Sequence, residues 1–480
     1  MKKSSSFILI LLITICIAFC FRTKIISFIK PCFQRPISCL TYSDLVNLSK
    51  QPKPCGYLYS KLQRQLLIPY VVNIKKDLNS LNRQSKIENR KFLRLAEWNI
   101  ERGYEIDKIK NILTRKIPIS NKELQDFVNS DIFSLNEVDV GIPRTNYRNV
   151  ISELADAINY NYAFVTEFIE LNPIYYKQPL DPEKYLGLHG NAILSKYPIK
   201  SAWVVRLPSC YRWYESEVSK KSPLEYGRRF GAKTIFSVGI SDEVRHGSRC
   251  TLVANIELPT KEIITVVSVH LEDKCFPSCR LKQMEHLLSS LKSVKSPLVL
   301  AGDLNTSTTD AAPTSVKKEI TKRIRDPHFI ARQAVLFLIP GLQFGVGSLA
   351  AATIRGALHY KDPTALSIPV LFPNQERELF MYLKDFKFSD GEGFDFSGDR
   401  SSNGKSGLLA NSNERQLKGF ESTFRFAKPM GIAYYKLDWF FVKPKRGRFA
   451  PFNGQTLKLV NEAYGNRISD HDPITVDLSL

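Results

Sequence analysis

The stretch that decides the fold is Pro297–Asn305, PLVLAGDLN. Its apolar run from Leu298 to Ala301 is typical of a strand that is buried on both faces. Gly302 allows the backbone to turn where the strand ends, and Asp303 and Asn305 then offer a carboxylate and an amide two residues apart. A Gly-Asp pair at the end of a strand is also common in ordinary turns. Its functional significance therefore depends on polar residues elsewhere in the chain that could join it.

Other predicted strands carry polar side chains at their ends as well. Taken singly, each of these groups is typical of a solvated turn or of a structural histidine. Together they predict one polar cluster, because the ends of neighbouring strands converge when two sheets pack. The groups are Asn99, Glu101, Glu137, His270, Asp438, Asp470 and His471.

The order of the predicted elements indicates how the sheets are built. Helices and strands interleave, yet several strands follow one another directly, as in the apolar runs at 232–240, 249–258 and 263–271. This pattern favours an α/β protein of the α+β type, with two packed mixed β-sheets flanked by helices, over a doubly wound parallel sheet.

The residue types in the cluster indicate a chemistry. Oxygen ligands from Glu, Asp and Asn suit Mg²⁺ or Mn²⁺ better than Zn²⁺. A histidine with a carboxylate partner can orient or deprotonate water, while a metal ion polarises an ester. Metal-assisted hydrolysis of a phosphoester is therefore the reaction class that we expect.

Composition and charge exclude few classes of function, but the distribution of charge shows where the basic residues are concentrated. The chain has 480 residues, of which 43% are hydrophobic and 24% charged, which is ordinary for a globular protein. Its net charge is +21, and residues 1–90 hold fifteen Lys and Arg against three Asp and Glu. Since most of the excess lies in this first part, the charge is weak support for a nucleic-acid groove in the main domain.

The N-terminus predicts targeting or anchoring. Lys2 and Lys3 are followed by Phe7–Phe21, which holds no charged residue and is short for a full membrane span. Residues 1–21 are therefore predicted to be a signal peptide or a membrane anchor, and the protein to be exported (periplasmic or extracellular) or membrane-associated.

The remaining chain divides into a tether and one domain. Residues 22–90 are predicted to be a basic tether with some helix at Tyr57–Leu67, and residues 91–480 to be the domain, with an insertion at about 310–430. Within the insertion, Val335–Ile354 holds no charge. A span there would separate Asp303 from the C-terminal motifs, so a buried helical hairpin and an element dipping into a surface stay open.

The nine cysteines match no metal-ligand spacing. Cys275 and Cys279 lie close in sequence, and Cys32, Cys39 and Cys55 cluster after the apolar segment. In an exported protein some of these would pair, but free thiols and disulfides both remain open because connectivity cannot be read from a sequence.

A set of short motifs, in a fixed order, resembles the endonuclease/exonuclease/phosphatase superfamily. The motifs are WNI, LNEVD, HGNAILSKYPI, SVHLE, GDLN, KLDWFFV and SDHDPI, which cover about residues 92–305 and 430–480. The resemblance implies a four-layer sandwich, in which helices cover the outer faces of two sheets, and a long insertion before the last strands.

The resemblance also implies roles for individual residues. It makes His471 the catalytic histidine, oriented by Asp438, and it lets His270 stabilise phosphoryl oxygens. Asp303 and Asn305 would position water and phosphate. The implied metal ligands are Glu137, Asn99, Asp470 and Glu101, and the implied substrate contacts are Asn191 and Arg144.

Two departures affect what the resemblance implies. Asn136 stands where the family commonly has Gln, which leaves the neighbouring ligand Glu137 intact. The separation between Asn305 and Asp438 is long for the family, and the inserted residues put substrate identity in doubt.

Two classes of function follow. The first is a Mg²⁺- or Mn²⁺-dependent phosphodiesterase or nuclease, expected to be a monomer. Its substrate is nucleic acid, or alternatively a membrane phospholipid or inositol phosphate, which the apolar and basic N-terminus favours. The second is a catalytically inactive scaffold, against which the intact polar set argues.

Overall fold

Two mixed β-sheets lie face to face, as the sequence predicts. The computed structural model describes residues 36–74, 91–171, 180–219, 244–306, 376–395, 420, 423–425 and 434–480. The first sheet has the strand order β1-β4-β5-β3-β2-β15-β14, with β7 also paired to β4, and the second has the order β13-β10-β9-β8-β6. β2 and β3 are parallel in the first sheet, and β9 and β10 in the second, while the other ladders of the two sheets are antiparallel.

The strands have the following bounds: β1 Tyr70–Val72, β2 Phe92–Arg102, β3 Ile132–Val140, β4 Asn161–Glu170, β5 Leu188–Ser195, β6 Ile199–Arg206, β7 Arg245–Gly247, β8 Cys250–Glu257, β9 Ile263–His270, β10 Leu298–Asp303, β11 Phe424–Arg425, β12 Tyr434–Tyr435, β13 Asp438–Lys443, β14 Pro451–Thr456 and β15 Ile474–Ser479.

The helices of the described residues lie on the outer faces of the sheets. Their bounds are α1 Tyr42–Ser49, α2 Gly56–Leu67, α3 Ile106–Leu113, α4 Lys122–Val128, α5 Val150–Ile158, α6 Trp213–Ser219, α7 Pro277–Leu291, α8 Arg377–Asp385 and α9 Lys458–Asn461, with a short 3₁₀ turn at Pro143–Thr145.

Three apolar layers account for the four-layer sandwich. One layer lies between the sheets, one lies under helices α1–α5, and one lies under α7 and α8. Strand β10 contributes to two of them, since Val299 and Ala301 point between the sheets while Leu298 and Leu300 pack towards α7 and α8. The continuous apolar run is thus explained by burial of both faces.

Gly302 is required by strand pairing and not, as the sequence suggested, by a turn. It lies inside β10 at φ +148°, and a Cβ there would come within 1.8 Å of the Val269 carbonyl oxygen of the neighbouring strand. The missing side chain allows β9 and β10 to stay paired up to His270 and Asp303.

The stretch predicted as a tether is partly a component of the domain. Residues 36–74 form α1, α2 and β1, and β1 pairs with β4. Leu45, Leu48 and Leu62 are buried under the first sheet. The prediction of a tether over residues 22–90 is therefore wrong for this part, because short amphipathic helices in a basic segment still bury their apolar faces.

Several predictions fall on residues that the structure does not describe. They are the segment 1–21, the strand at 232–240 and the apolar run 335–354. Among the helices of the described ranges, none combines the length and the hydropathy that crossing a membrane requires.

Candidate active site

The polar strand ends meet at one edge of the sandwich. Parallel strands β9 and β10 end there, and antiparallel β13 begins there, so that Asp303 lies opposite both His270 and Asp438 in the register. The facing sheet brings the loop before β15 to the same edge. Trp98 of β2 fixes that loop, because its indole N–H donates a hydrogen bond of 2.8 Å to the carbonyl oxygen of His471.

His471 lies between two carboxylates. Its Nδ1 donates a hydrogen bond of 2.8 Å to Oδ2 of Asp438, and its Nε2 lies 3.8 Å from Oδ2 of Asp303. Burial by itself would lower the pKa of His471, but the charges of Asp438 and Asp303 raise it well above its usual range. The imidazole is therefore stabilised as a cation beside Asp303.

Asp303 is held by neutral donors and flanked by a second histidine. Its Oδ1 accepts the backbone N–H of Asn305 at 2.8 Å, and its Oδ2 accepts from Asn99 Nδ2 at 3.1 Å. The same Oδ2 lies 3.5 Å from His270 Nε2. Burial raises the pKa of Asp303, and the charge of His471 offsets only part of that rise. The carboxylate is thus placed and tuned to accept a proton.

A second group of carboxylates lies beside the first. The backbone N–H of Asp470 donates to Oε2 of Glu101 at 3.0 Å, and Asn99 Nδ2 lies 3.4 Å from Oε1 of Glu137. Glu101 and Glu137 both adopt positive φ, 46° and 54°, which is uncommon for residues with a side chain. Such backbone conformations cluster at functional sites, where the surrounding structure enforces them.

The carboxylates of this group raise one another's pKa values. Burial and the nearby charge of Asp470 raise the pKa of Glu101 to about 8. Burial also raises the pKa of Asp470 to about 6, because the charge of His471 offsets only part of the burial effect and Glu137 adds to the rise. Burial would raise the pKa of Glu137 too, but Arg102, with Nε 3.7 Å from Oε2, helps to hold it below its usual range.

This group fits a hard divalent cation. Asn99, Glu101, Glu137 and Asp470 offer only oxygen ligands, and the raised pKa values indicate a lack of positive charge that a cation would supply. Asp303, Asp438 and His471 also offer ligand atoms within 4.8 Å of one another. The group of Asn99, Glu101, Glu137 and Asp470 is the better candidate for a cation, because Asp438 and His471 are already hydrogen-bonded to each other.

The two expected substrate contacts do not fit this geometry. The guanidinium of Arg144 is buried and makes ion pairs of 2.6 Å with Asp139 and 2.7 Å with Glu170. Asn191 is fully buried, accepts a hydrogen bond from Asn136 Nδ2 at 2.8 Å and donates one to the Cys250 carbonyl at 3.1 Å. Both side chains support the strands behind the site, and their assignment as substrate contacts stays a prediction.

Asn136 has a role that the motif alone did not reveal. Its Oδ1 accepts the backbone N–H of Asp303 at 2.9 Å across the two sheets, and its Nδ2 donates to Asn191. The amide therefore fixes the strand tip that carries Asp303. A sequence signal was present, since Asn136 directly precedes Glu137 at a strand end.

Sequence reasoning also missed the partners of His270. Arg249 Nη1 lies 2.7 Å from His270 Nδ1, and Glu167 Oε2 lies 3.2 Å from the same guanidinium nitrogen. Burial would raise the pKa of Glu167, but Arg249 and His270 lower it to about 2. Glu167 is in the middle of a buried strand, where the apolar pattern gave no sign of an ionised carboxylate.

Glu97 is a further buried carboxyl beneath the site. It lies two residues before Asn99 on β2, so both point between the sheets. The side chain has no exposed surface, and neither oxygen has a hydrogen-bond partner among the described residues. Burial and the charges of Asp438 and Asp303 raise its pKa well above the usual range. Period-two alternation from Asn99 is the signal that could have found it.

A described part of the insertion reaches His471. Thr423 Oγ1 accepts the backbone N–H groups of Leu437 at 3.1 Å and Asp438 at 3.2 Å. The ring of Phe424 lies 5.1 Å from that of His471, centroid to centroid. Residues 423–424 thus belong to the site rather than to a remote surface.

The comparisons with known proteins agree with these motifs. A sequence model described as the Endonuclease/Exonuclease/phosphatase family matches residues 96–471. None of the curated proteins searched matches the chain.

Solved structures with a related chain path have low sequence identity to this chain. An endonuclease/exonuclease/phosphatase from Beutenbergia cavernae is 16% identical, with a TM-score of 0.40, over 82% of this chain and 72% of that one. The catalytic domain of human Nocturnin is 13% identical, with a TM-score of 0.38, over 81% and 93%. The 3′ phosphatase NExo from Neisseria, bound to a product DNA hairpin, is 13% identical, with a TM-score of 0.40, over 81% and 100%.

Proposed function

The chain belongs to the endonuclease/exonuclease/phosphatase family, and from this premise we propose that it is a divalent-metal-dependent phosphodiesterase. The observation that carries the proposal is the placement of Asp303. Its carboxylate lies 3.5 Å from His270 Nε2 and 3.8 Å from His471 Nε2, with Asp438 behind His471. A base between two imidazoles suits hydrolysis of an anionic ester.

In the proposed reaction water attacks phosphorus, a new phosphorus–oxygen bond forms and the bond to the leaving oxygen breaks, after which the leaving oxygen takes a proton from solvent and departs as an alcohol. Asp303 accepts the proton of the attacking water, and Asn305 orients the water or a phosphate oxygen. His471 and His270 stabilise the negative charge that grows on the phosphoryl oxygens. Asp438 keeps His471 in its charged, correctly oriented form.

Asn99, Glu101, Glu137 and Asp470 would hold the metal ion, for which we propose Mg²⁺ or Mn²⁺. When bound, the ion supplies Lewis-acid polarisation of the phosphoester. The protein's own contribution is to collect three carboxylates around Asn99, whose amide also donates to Asp303. Asn99 thereby links the cation group to the proton-accepting group.

For the substrate we propose a phosphoester that is either nucleic acid or a membrane phospholipid or inositol phosphate. The net charge of +21 supports an anionic polymer, whereas the concentration of that charge in residues 1–90 supports an anionic surface. We expect a monomer to suffice, because each proposed catalytic group comes from one chain.

We further propose that the protein functions outside the cytoplasm or on a membrane. The sequence of residues 1–21 supports this, as does a disulfide between Cys210 and Cys279, since such bonds persist in oxidising compartments. Mass spectrometry of alkylated, unreduced protein from cells tests it. Complete alkylation of both cysteines would contradict the proposal.

One panel of substrates tests the proposed activity. Purified full-length protein is assayed with Mg²⁺ or Mn²⁺ on single- and double-stranded DNA, RNA, phospholipid vesicles, inositol phosphates and an aryl phosphodiester. We expect hydrolysis that a chelator stops and that His471→Ala lowers to background. Absence of metal-dependent turnover on every substrate would favour the inactive scaffold.

A further inference from the structure

The N-terminal helix pair presents an exposed surface that lies outside the family match. Residues 36–74 precede residue 96, where that match begins. Helix α2 buries Leu62 and Leu66 on one side, and its other side is open. Three large apolar or aromatic side chains are exposed there, namely Tyr57 (77%), Tyr59 (48%) and Leu67 (46%).

The segment that carries these side chains has an excess of positive charge. Residues 36–74 contain four basic residues and one acidic residue, a net charge of +3. The acidic residue, Asp44, is neutralised by Lys61 in an ion pair of 2.8 Å, and Lys61 also lies 5.0 Å from the ring of Tyr57. Lys50, Lys53 and Arg64 remain exposed. We call Lys50, Lys53, Tyr57, Tyr59, Arg64 and Leu67 the α1–α2 surface.

The α1–α2 surface is uneven rather than smooth. A cleft of about 440 Å³ opens between α2 and the strands β6 and β7. Tyr59 and Leu67 line it from the helix, Lys53 from the preceding loop, and Arg206 and His246 from the opposite wall. The exposed apolar side chains therefore border a concavity with cationic groups at its rim.

From these observations we propose that the α1–α2 surface binds an anionic lipid bilayer. Tyrosine rings and aliphatic side chains bordered by Lys and Arg are suited to the headgroup region, where the polar tips stay wet and the apolar parts are buried. Each cation near an anionic membrane adds attraction. Nucleic acid is less favoured, because three exposed cations, of which only Arg64 lies within a helix, offer few phosphate contacts.

The surface is structurally linked to the active-site edge. Gln65 of α2 donates a hydrogen bond of 3.0 Å to Thr166, the neighbour of Glu167, which contacts His270. On the other side, the Tyr214 hydroxyl donates a hydrogen bond of 2.7 Å to the carbonyl oxygen of Ser49, the last residue of α1. A bilayer on this surface would thus lie against elements that support the site. The proposal is independent of whether the chain hydrolyses phosphoesters.

The test uses the full-length protein and a reporter within the surface. Tyr57→Trp is mixed with vesicles of brominated phosphatidylcholine, with or without phosphatidylserine, and the quenching is compared with that of the unsubstituted chain. We expect about threefold more quenching on the anionic vesicles. Adding Lys50→Glu, Lys53→Glu and Arg64→Glu should lower it to the neutral-lipid value.

The control reverses three exposed lysines on other elements, with Lys116→Glu, Lys122→Glu and Lys295→Glu. These changes should leave the quenching intact. If the protein floats with vesicles while the introduced indole stays unquenched, residues outside the surface bind the membrane and the proposal is overturned. A response to DNA but not to anionic vesicles would likewise overturn it.

Discussion

Oδ2 of Asp438 accepts the Nδ1–H of His471 at 2.8 Å, while the other oxygen of Asp438 is buried without a hydrogen-bond partner among the described residues. The charge of Asp438 therefore acts mainly on the imidazole. Glu97 adds a second carboxyl below this pair, close enough that its pKa is raised by the charge of Asp438. Buried acidic groups, rather than apolar side chains, therefore lie beneath the proposed catalytic histidine.

Asp438→Asn should lower kcat about 10²- to 10⁴-fold, because the amide retains a hydrogen-bonding oxygen but loses the charge that keeps His471 protonated. The pKa of His471 is raised in the native protein, and in the variant it should fall. The alkaline limb of the pH–rate profile should then move to lower pH. Asp390→Asn, an exposed partner of Lys443, is the control. Equal profiles for the two variants would contradict the pairing.

Glu97→Gln should stabilise the protein at alkaline pH. The folded-state pKa of Glu97 is raised, so the folded state binds this proton more tightly than the unfolded state. The native chain therefore loses stability as pH rises above the usual carboxyl pKa, by up to about 1.4 kcal/mol per pH unit, and the amide does not. Urea denaturation in chelator at pH 4 and pH 8 measures it. A stability gain that is equal at both pH values would refute the assignment.

Glu137→Ala should abolish metal-dependent activity while the chain stays folded. Mg²⁺ at about 100 times its dissociation constant should stabilise the native protein by about 2.7 kcal/mol, and this gain should vanish in the variant. Thermal unfolding with Mg²⁺ and with chelator provides the readout. Glu123→Ala, in an exposed first turn of α4, should retain the gain. Undiminished metal stabilisation in Glu137→Ala would place the cation elsewhere.

Arg144→Ala should act on stability rather than on substrate binding. Its removal leaves Asp139 and Glu170 buried without their main counter-charge, at a cost of about 3–5 kcal/mol. The variant's KM should stay unchanged in the folded fraction. Arg144→Lys provides a second variant if the alanine form does not fold. A stable variant with a raised KM would restore Arg144 as a substrate contact.

The strand ends could be predicted from sequence because their pattern is local. An apolar run followed by Asn99, Glu137, His270 or Asp303 identifies the edge, and packing of two sheets then brings the ends together. The contacts that sequence reasoning did not predict involve residues that are distant in the sequence. Whether Arg144 faces a substrate or Glu170 cannot be read from its own motif, since the partner is 26 residues away on another strand.

Glu97 is a second residue whose role depends on partners that are distant in the sequence. A glutamate inside an apolar strand is read as an exception at a surface, because a buried carboxyl without a hydrogen bond is costly. Period-two alternation puts it on the face of β2 that carries Asn99, and the positions of Asp303 and Asp438 on the facing sheet place it beneath the site. Helix α2 matches the helix expected at Tyr57–Leu67, whereas α1 was not predicted, since the basic composition of the segment concealed its short apolar face.

Strand β15 must pair with its neighbour before the proposed catalytic site is complete. It pairs with β2, and Arg94 of β2 holds Asp477 with an ion pair of 2.6 Å, which positions the loop bearing His471. A polypeptide that is still emerging from the ribosome, or still threading through a translocon, has no completed catalytic centre until residues 471–479 are released and paired. The proposed activity therefore requires that the whole of β15 has been synthesised and paired with β2.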